Sequence, residues 1–391
     1  MLIWFVVGYL LITVGIGLYA STRVHNSKDF AAGGRSMSFP LVMAMVFATW
    51  FGSEAVLGIP AEFIKEGLGG VVSDPFGSAL CLILVGLFFA KHLYNRRMLT
   101  IGDFFREKYG RTVEVLVTLC IVVSYLGWVA AQIKALGLVF HVVSDGAISE
   151  NLGMIIGASS VLIYTLFGGM WSVAITDFIQ MIILVVGLAV LAVFAGNQAG
   201  GADKVLALAV SQDMFKFWPE PNFKDIIFFF ASAITIMLGS IPQQDVFQRV
   251  MSANSEYAAT RGPVIGGIFY ILFAFVPMFL VVSAMIIMPE EAARLIAEDP
   301  QKVLPTLVMT QMPFIMQVLF FGALLSAIKS CASATLLAPS VTFTENIWRQ
   351  FRPYTSDKDN IRTMRISVLV FAACVLGYTI VMQRTPIYEL V

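Results

Sequence analysis

Charge is what this chain has little of. Only 13% of its 391 residues are Asp, Glu, Lys or Arg, about half the ~25% of an ordinary soluble domain. The 25 basic side chains balance 25 acidic ones, which leaves no basic surface for a nucleic-acid partner. Histidine is scarcer: His25, His92 and His141 are the only three. They are scattered near the ends of hydrophobic runs, as interfacial side chains would be. The four cysteines, Cys81, Cys120, Cys331 and Cys374, lie inside hydrophobic runs and form neither a disulfide framework nor a metal-ligand spacing. With no metal cluster, nucleophile triad or phosphate loop, neither an enzyme nor a cofactor is expected. No segment is low in complexity, so residues 1–391 read as one domain.

What the chain has in abundance is apolar length. Hydrophobic residues make up 58% of it and the mean hydropathy is +0.84, the composition of an all-α polytopic membrane protein in a lipid bilayer. A spanning helix needs about 20 apolar residues. That divides the chain into ten spans near 1–21, 38–64, 70–90, 113–142, 151–167, 172–196, 225–247, 262–288, 305–343 and 365–383. The ninth is too long for one span and is expected to include an amphipathic or re-entrant piece. The first 20 residues have no positive n-region and no small-residue cleavage site, and so read as a retained helix. With the N-terminus outside, 16 Lys and Arg fall in inner loops and seven in outer ones; the positive-inside rule therefore favours that orientation, in the cell membrane.

Two of the spans are interrupted. Residues 38–64, SFPLVMAMVFATWFGSEAVLGIPAEFI, carry Gly52, Ser53, Glu54, Gly58 and Pro60 near their middle. Residues 225–250, DIIFFFASAITIMLGSIPQQDVFQRV, carry Gly239, Ser240, Pro242, Gln243 and Gln244. Unwound backbone at membrane depth is tolerated only where protein or a water-filled cavity satisfies it. Such interruptions at corresponding places in two halves of a chain point to a transporter's binding site. They are the second and seventh spans, and a separation of five puts them in opposite directions, as inverted repeats require. Repeats of about 38–196 and about 225–391 would end on an eleventh span, so the count predicts a C-terminally truncated chain.

A charge at the centre of a span costs from about 2.5 to beyond 10 kcal/mol before relaxation, and four stand out: Glu54, Lys134, Asp177 and Lys329. Two acids and two bases can pair among themselves to fix helix register. Alternatively they serve a site, a reading that Glu54 favours because it coincides with a break. In the ninth span Ala327, Ser330 and Cys331 stand at i, i+3 and i+4 and share one helical face. Small residues there suit close helix packing; hydroxyls beside the freed carbonyls of an unwound helix suit a sodium ion. The second reading requires that the ninth span pack against the break at Gly52.

Five motifs are familiar together: FATWFGSEAVLG (47–58), LTIGDFFREKYG (99–110), LIYTLFGGMWSVAITDFIQ (162–180), IPQQDVFQRVMSANS (241–255) and LLSAIKSCASATLLAPSVTFTENIW (324–348). In this order and spacing the chain resembles the sodium:solute symporter family, which includes sodium-coupled sugar, proline, pantothenate and choline transporters. The resemblance covers essentially all 391 residues. It implies a LeuT-like fold of inverted five-helix repeats with broken first and sixth core helices, here without the last core helix. It implies a sodium ion at Ala48, Phe51, Ala327, Ser330 and Cys331. A substrate is implied at Trp50, Ser53, Glu54, Gln243 and Gln244, with Gln132 and Lys134 on a neighbouring helix and Asp177 near the ion's exit route. Two residues depart from the family pattern. Cys331 stands where Ser or Thr is usual, and a thiol is a poor ligand for a hard cation. Lys329 stands where an apolar residue is usual.

The expected function is therefore import of a small organic solute by alternating access, coupled to a cation gradient, with sodium as the ion. The alternatives are a proton-coupled or sodium-independent transporter, in which Lys329 pairs with Glu54 or an anionic substrate and replaces the bound cation, and a transporter-like sensor domain of a larger signalling protein. Lysines near the site suit a carboxylate or zwitterion; Trp50 with Glu54 suits a quaternary ammonium.

Overall fold

The computed structural model describes residues 2–390, and among them the chain is helical, with a single isolated bridge as its only β pairing. The unbroken apolar runs form α1 (Leu2–Arg23), α4 (Val72–Arg96), α5 (Arg111–Val143), α6 (Glu150–Gln198), α9 (Glu256–Ile287), α10 (Phe314–Phe351) and α11 (Asp357–Val381). Polar caps mark where several of them begin. Ser149, Ser255 and Ser356 each accept a backbone N–H from the first turn of α6, α9 and α11, which satisfies donors that have no partner within the helix. Straight, the 49 residues of α6 would reach about 73 Å, more than twice a hydrocarbon core. Gly169, at φ 47° and ψ −135°, divides it into two arms.

The interrupted runs are bent. The first comprises α2 (Phe39–Trp50) and α3 (Glu54–Gly70), at 57° to one another. The second comprises α7 (Phe223–Gly239) and α8 (Gln244–Ser252), at 42°. Pro242 lies in the second gap, where it has no N–H to give and disfavours helix at Ile241. Ahead of α10, a short helix over Val303–Gln311 stops just before Pro313, the N-cap of α10. The length of the ninth apolar run thus belongs to two helices.

α2 and α8 lie side by side and antiparallel. Met37, at the entry to α2, donates to Ser252 O at 2.9 Å and accepts from Asn254 N at 2.8 Å, both at the exit of α8. At the opposite ends, Trp50 Nε1 donates to Asp245 Oδ2 at 2.8 Å. Around this pair α2 packs on α6, α9 and α10, so the first break is enclosed by protein.

The motif at 99–110 forms a helix over Ile101–Tyr109, opened by a capping box of Thr100 with Asp103. Asn346 of α10 donates to Asp103 Oδ1 at 3.2 Å and to Glu114 Oε1 at 2.9 Å, joining two motifs far apart in sequence. Gly102 admits this contact: a Cβ there would stand 2.5 Å from Asn346 Cγ. Gly102→Ala is expected to destabilise the protein by about 1–3 kcal/mol, the usual range for overpacking. Gly322→Ala, with nothing within 4 Å of its Cβ, is expected to be neutral or stabilising. Melting curves in detergent check both.

Candidate functional site

Three helices close on one backbone point at the first break. A Cβ built on Gly52 would stand 2.7 Å from Gln132 Oε1, 2.7 Å from Glu54 Oε2 and 2.9 Å from Cys331 Cβ. Glycine is needed here for close approach. Gln132 of α5 spans the gap: its Oε1 accepts from Ser53 N–H at 2.9 Å, and its Nε2 donates to Glu54 Oε2 at 2.6 Å. One amide thus satisfies the unwound backbone and the first side chain of α3. Trp128 Nε1 donates to the other carboxylate oxygen of Glu54 at 3.2 Å. Glu54 is 1% exposed, and among the described residues no Lys, Arg or His forms an ion pair with it.

A second carboxylate faces the same region from the other broken run. Asp245, fully buried in the first turn of α8, accepts from Trp50 Nε1 and from the hydroxyl of Tyr125, which in turn accepts from Asp245 N at 2.9 Å. Arg249, one turn on, donates to the backbone carbonyl of Asp245 at 3.1 Å, while its Nε and Nη2 have no partner. The aromatic rings between the carboxylates touch one another: Trp50 and Trp128 meet edge to face at 5.5 Å, and Tyr125 stacks on Trp128 at 5.9 Å. The result is an aromatic cluster with an acid on either side, chemistry that suits a cation.

α10 presents its small-residue face to the same break. Ala327, Ser330 and Cys331 are buried there, as are Ala48 and Phe51 of the first run. Cys331 Sγ lies 4.0 Å from Glu54 Oε1. Ser330 Oγ donates to Asp177 Oδ1 at 2.6 Å, and Asp177 Oδ2 is buried without a partner.

Three residues expected at the site point elsewhere. Lys329 does not pair with Glu54. Two positions from Cys331 on a helix, it faces nearly the opposite way, and its ammonium donates to Thr13 of α1 at 2.5 Å between the rings of Tyr9 and Tyr164. Lys134, likewise two positions from Gln132, donates to Thr385 O in a charged cavity that also includes Glu62, Lys65, Asp299 and Lys302. Gln244 accepts from Ile101 N at 2.8 Å and so anchors the 99–110 segment. Gln243 remains beside the second break, and its Oε1 has no partner. Tyr125, Trp128 and Asp245 were not singled out in the sequence. Asp245 carried the same signal as Glu54, an ionisable residue in a broken run; Tyr125 and Trp128 stand seven and four positions before Gln132, on its helical face.

The comparisons agree on the kind of protein this resembles. A model described as the sodium:solute symporter family matches residues 30–391. High affinity choline transporter 1 of Homo sapiens is 31% identical over 397 residues, which cover 95% of this chain and 66% of that protein. The chain therefore spans just under two thirds of that relative's length. High-affinity proline transporter PutP of Bacillus subtilis (strain 168) is 26% identical, over 92% of this chain and 77% of that one. Among solved structures, a Na+-coupled sialic acid symporter in a substrate-bound outward-open state superimposes with a TM-score of 0.85 at 19% identity, covering 100% of this chain and 85% of that one. At that identity the likeness is one of fold.

Two substitutions separate the roles of the buried charges. Asp245→Ala orphans the Trp50 and Tyr125 donors and is expected to cost about 1–3 kcal/mol for each. Lys329→Met, which leaves no carboxylate unpaired, is expected to be neutral or stabilising. Melting temperatures decide, and a loss for Lys329→Met as large as for Asp245→Ala would reveal an anionic partner for the lysine.

Proposed function

The chain belongs to the sodium:solute symporter family, and from that premise we propose that it imports a small organic cation of the choline type, driven by a sodium gradient through alternating access. It is not an enzyme. The proposed framework is a LeuT-like pair of inverted five-helix repeats, about 38–196 and about 225–391, with α2–α3 and α7–α8 as the broken core helices. The opposite directions of α2 and α8 support it. The excess of Lys and Arg in alternate loops supports an outside N-terminus in the cell membrane.

The observation that carries the solute class is Glu54. Buried in the bundle, it holds two N–H donors and no cationic partner among the described residues. A charge at that depth is costly; Glu54 and Asp245 flank the rings with no ion-pair partner among the described residues, so a cationic cargo meets negative charge there even where Glu54 also faces the coupling ion. Trp50, Tyr125 and Trp128 offer the ring faces that attract a quaternary ammonium. Ser53, Gln132 and Gln243 are the proposed polar contacts, with Asp245 on the far side. The similarity to the human choline transporter supports the same class. Sodium is the proposed coupling ion, at Ala48, Phe51, Ala327, Ser330 and Cys331, with Asp177 beside its inward route. The direction of Lys329 towards α1 favours this over a lysine that stands in for the ion. With one sodium and one cationic solute moving inward, the membrane potential contributes about 4.6 kcal/mol per 100 mV.

Reconstituted into liposomes, the protein is expected to accumulate labelled choline in a sodium-dependent, saturable way that an inside-negative potential enhances. Trp50→Ala should cut uptake at low choline at least tenfold, the ~1.4 kcal/mol within reach of a desolvated cation–π contact. Trp50→Phe, which keeps a ring face but loses the N–H bond to Asp245, should retain more uptake than Trp50→Ala. Transport of proline or glucose with no response to any organic cation would refute the solute class.

A further inference from the structure

We infer that Glu54 is a ligand of the coupling cation, supplying the hard oxygen that Cys331 does not, and that its carboxylate thereby joins the cation pocket to the aromatic cluster. The inference rests on the sodium-coupled reading and deepens it.

Of the three α10 residues assigned to the cation pocket, Ala327, Ser330 and Cys331, only Ser330 has a side-chain oxygen, and that hydroxyl is turned to Asp177 at 2.6 Å. Its neighbour Cys331 offers sulfur, a soft atom that hard cations pass over for oxygen. The sulfur is directed at Glu54 Oε1, 4.0 Å away. A carboxylate oxygen therefore lies next to the place where the thiol fails. The other oxygen, Oε2, converges with Gln132 Oε1 on Gly52, each 2.7 Å from where a Cβ would stand. That cradle exists because residue 52 has no side chain. Independently, Asp177, which holds the Ser330 hydroxyl through Oδ1, has its Oδ2 buried without a partner.

The position of Glu54 gives it two neighbours at once. Oε1 accepts from Trp128, a member of the aromatic cluster, and faces Cys331 on the cation side. A cation drawn to this carboxylate fixes its orientation, and with it the Trp128 ring and the Gln132 amide that hold the break. Occupancy of the ion pocket is thus felt at the solute site through one side chain.

The test measures sodium binding without transport. In the full chain in detergent, the sodium concentration giving half-maximal thermal stabilisation is determined at constant ionic strength with potassium as the balancing ion. Glu54→Gln is expected to raise that midpoint at least tenfold. Cys331→Ser, which restores a hydroxyl oxygen, is expected to lower it at least threefold. The double substitution is expected to return to within about threefold of the unaltered protein. If Glu54→Gln melts at a lower temperature but keeps its midpoint within twofold, Glu54 is only a structural brace and the inference fails, while the sodium reading stands. If the unaltered protein shows no sodium response, both fail together. Where Glu54→Gln does not fold, Glu54→Asp, which keeps the charge but draws its oxygens back from Cys331, is measured in its place, and a midpoint within twofold of the unaltered protein overturns the inference.

Discussion

The fold around the site depends on how unwound backbone is satisfied away from water. In the hydrocarbon region an unpaired N–H costs several kcal/mol, and the chain must interrupt a helix there to expose groups that can bind anything. Gln132 resolves the conflict at the first break. Its carbonyl takes the Ser53 N–H and its amide nitrogen holds Glu54, so α3 restarts in a fixed orientation. Everything described at the site follows from that orientation: where the Glu54 carboxylate points, which indole reaches it, and how closely Cys331 approaches Gly52.

α5 is the element that makes both breaks one site. Tyr125, Trp128 and Gln132 lie on one face of it, the first bound to Asp245 of α8 and the other two to Glu54 of α3. Trp50 closes the circuit from α2 to α8. The two carboxylates are therefore held by donors from the same unbroken helix. Neighbouring charges on the same helices, Lys134 and Lys329, stay out of the circuit because positions two apart on a helix project in nearly opposite directions.

Much of the architecture was legible in the sequence because bilayer physics is coarse. Twenty apolar residues mark a span and Gly with Pro marks a break, which suffices to find α2–α3 and α7–α8. The contents of the site were legible only in part. Glu54 announced itself by its charge, and Gln132 came from the resemblance rather than from any local signal. Asp245 follows two glutamines that look like the polar groups of the break, although one of them, Gln244, spends its side chain on Ile101. Lys329 looked like a partner for Glu54 because composition gives charges but not directions; the direction is set by helical phase relative to Cys331. Which side of a helix faces the break is a tertiary fact, and one sequence without its packing does not contain it.

The parallel bridge at Met37 has a mechanical consequence. Two backbone hydrogen bonds tie the start of α2 to the end of α8, whereas their other ends meet through the single Trp50–Asp245 side-chain bond. Two short rods fastened firmly at one tip and lightly at the other behave as a pair of tongs. Their pivot is at Met37 and Asn254, and their jaws are an indole and a carboxylate. A force that parts α2 from α8 therefore meets one side-chain bond at the Trp50 end and two backbone bonds at the Met37 end.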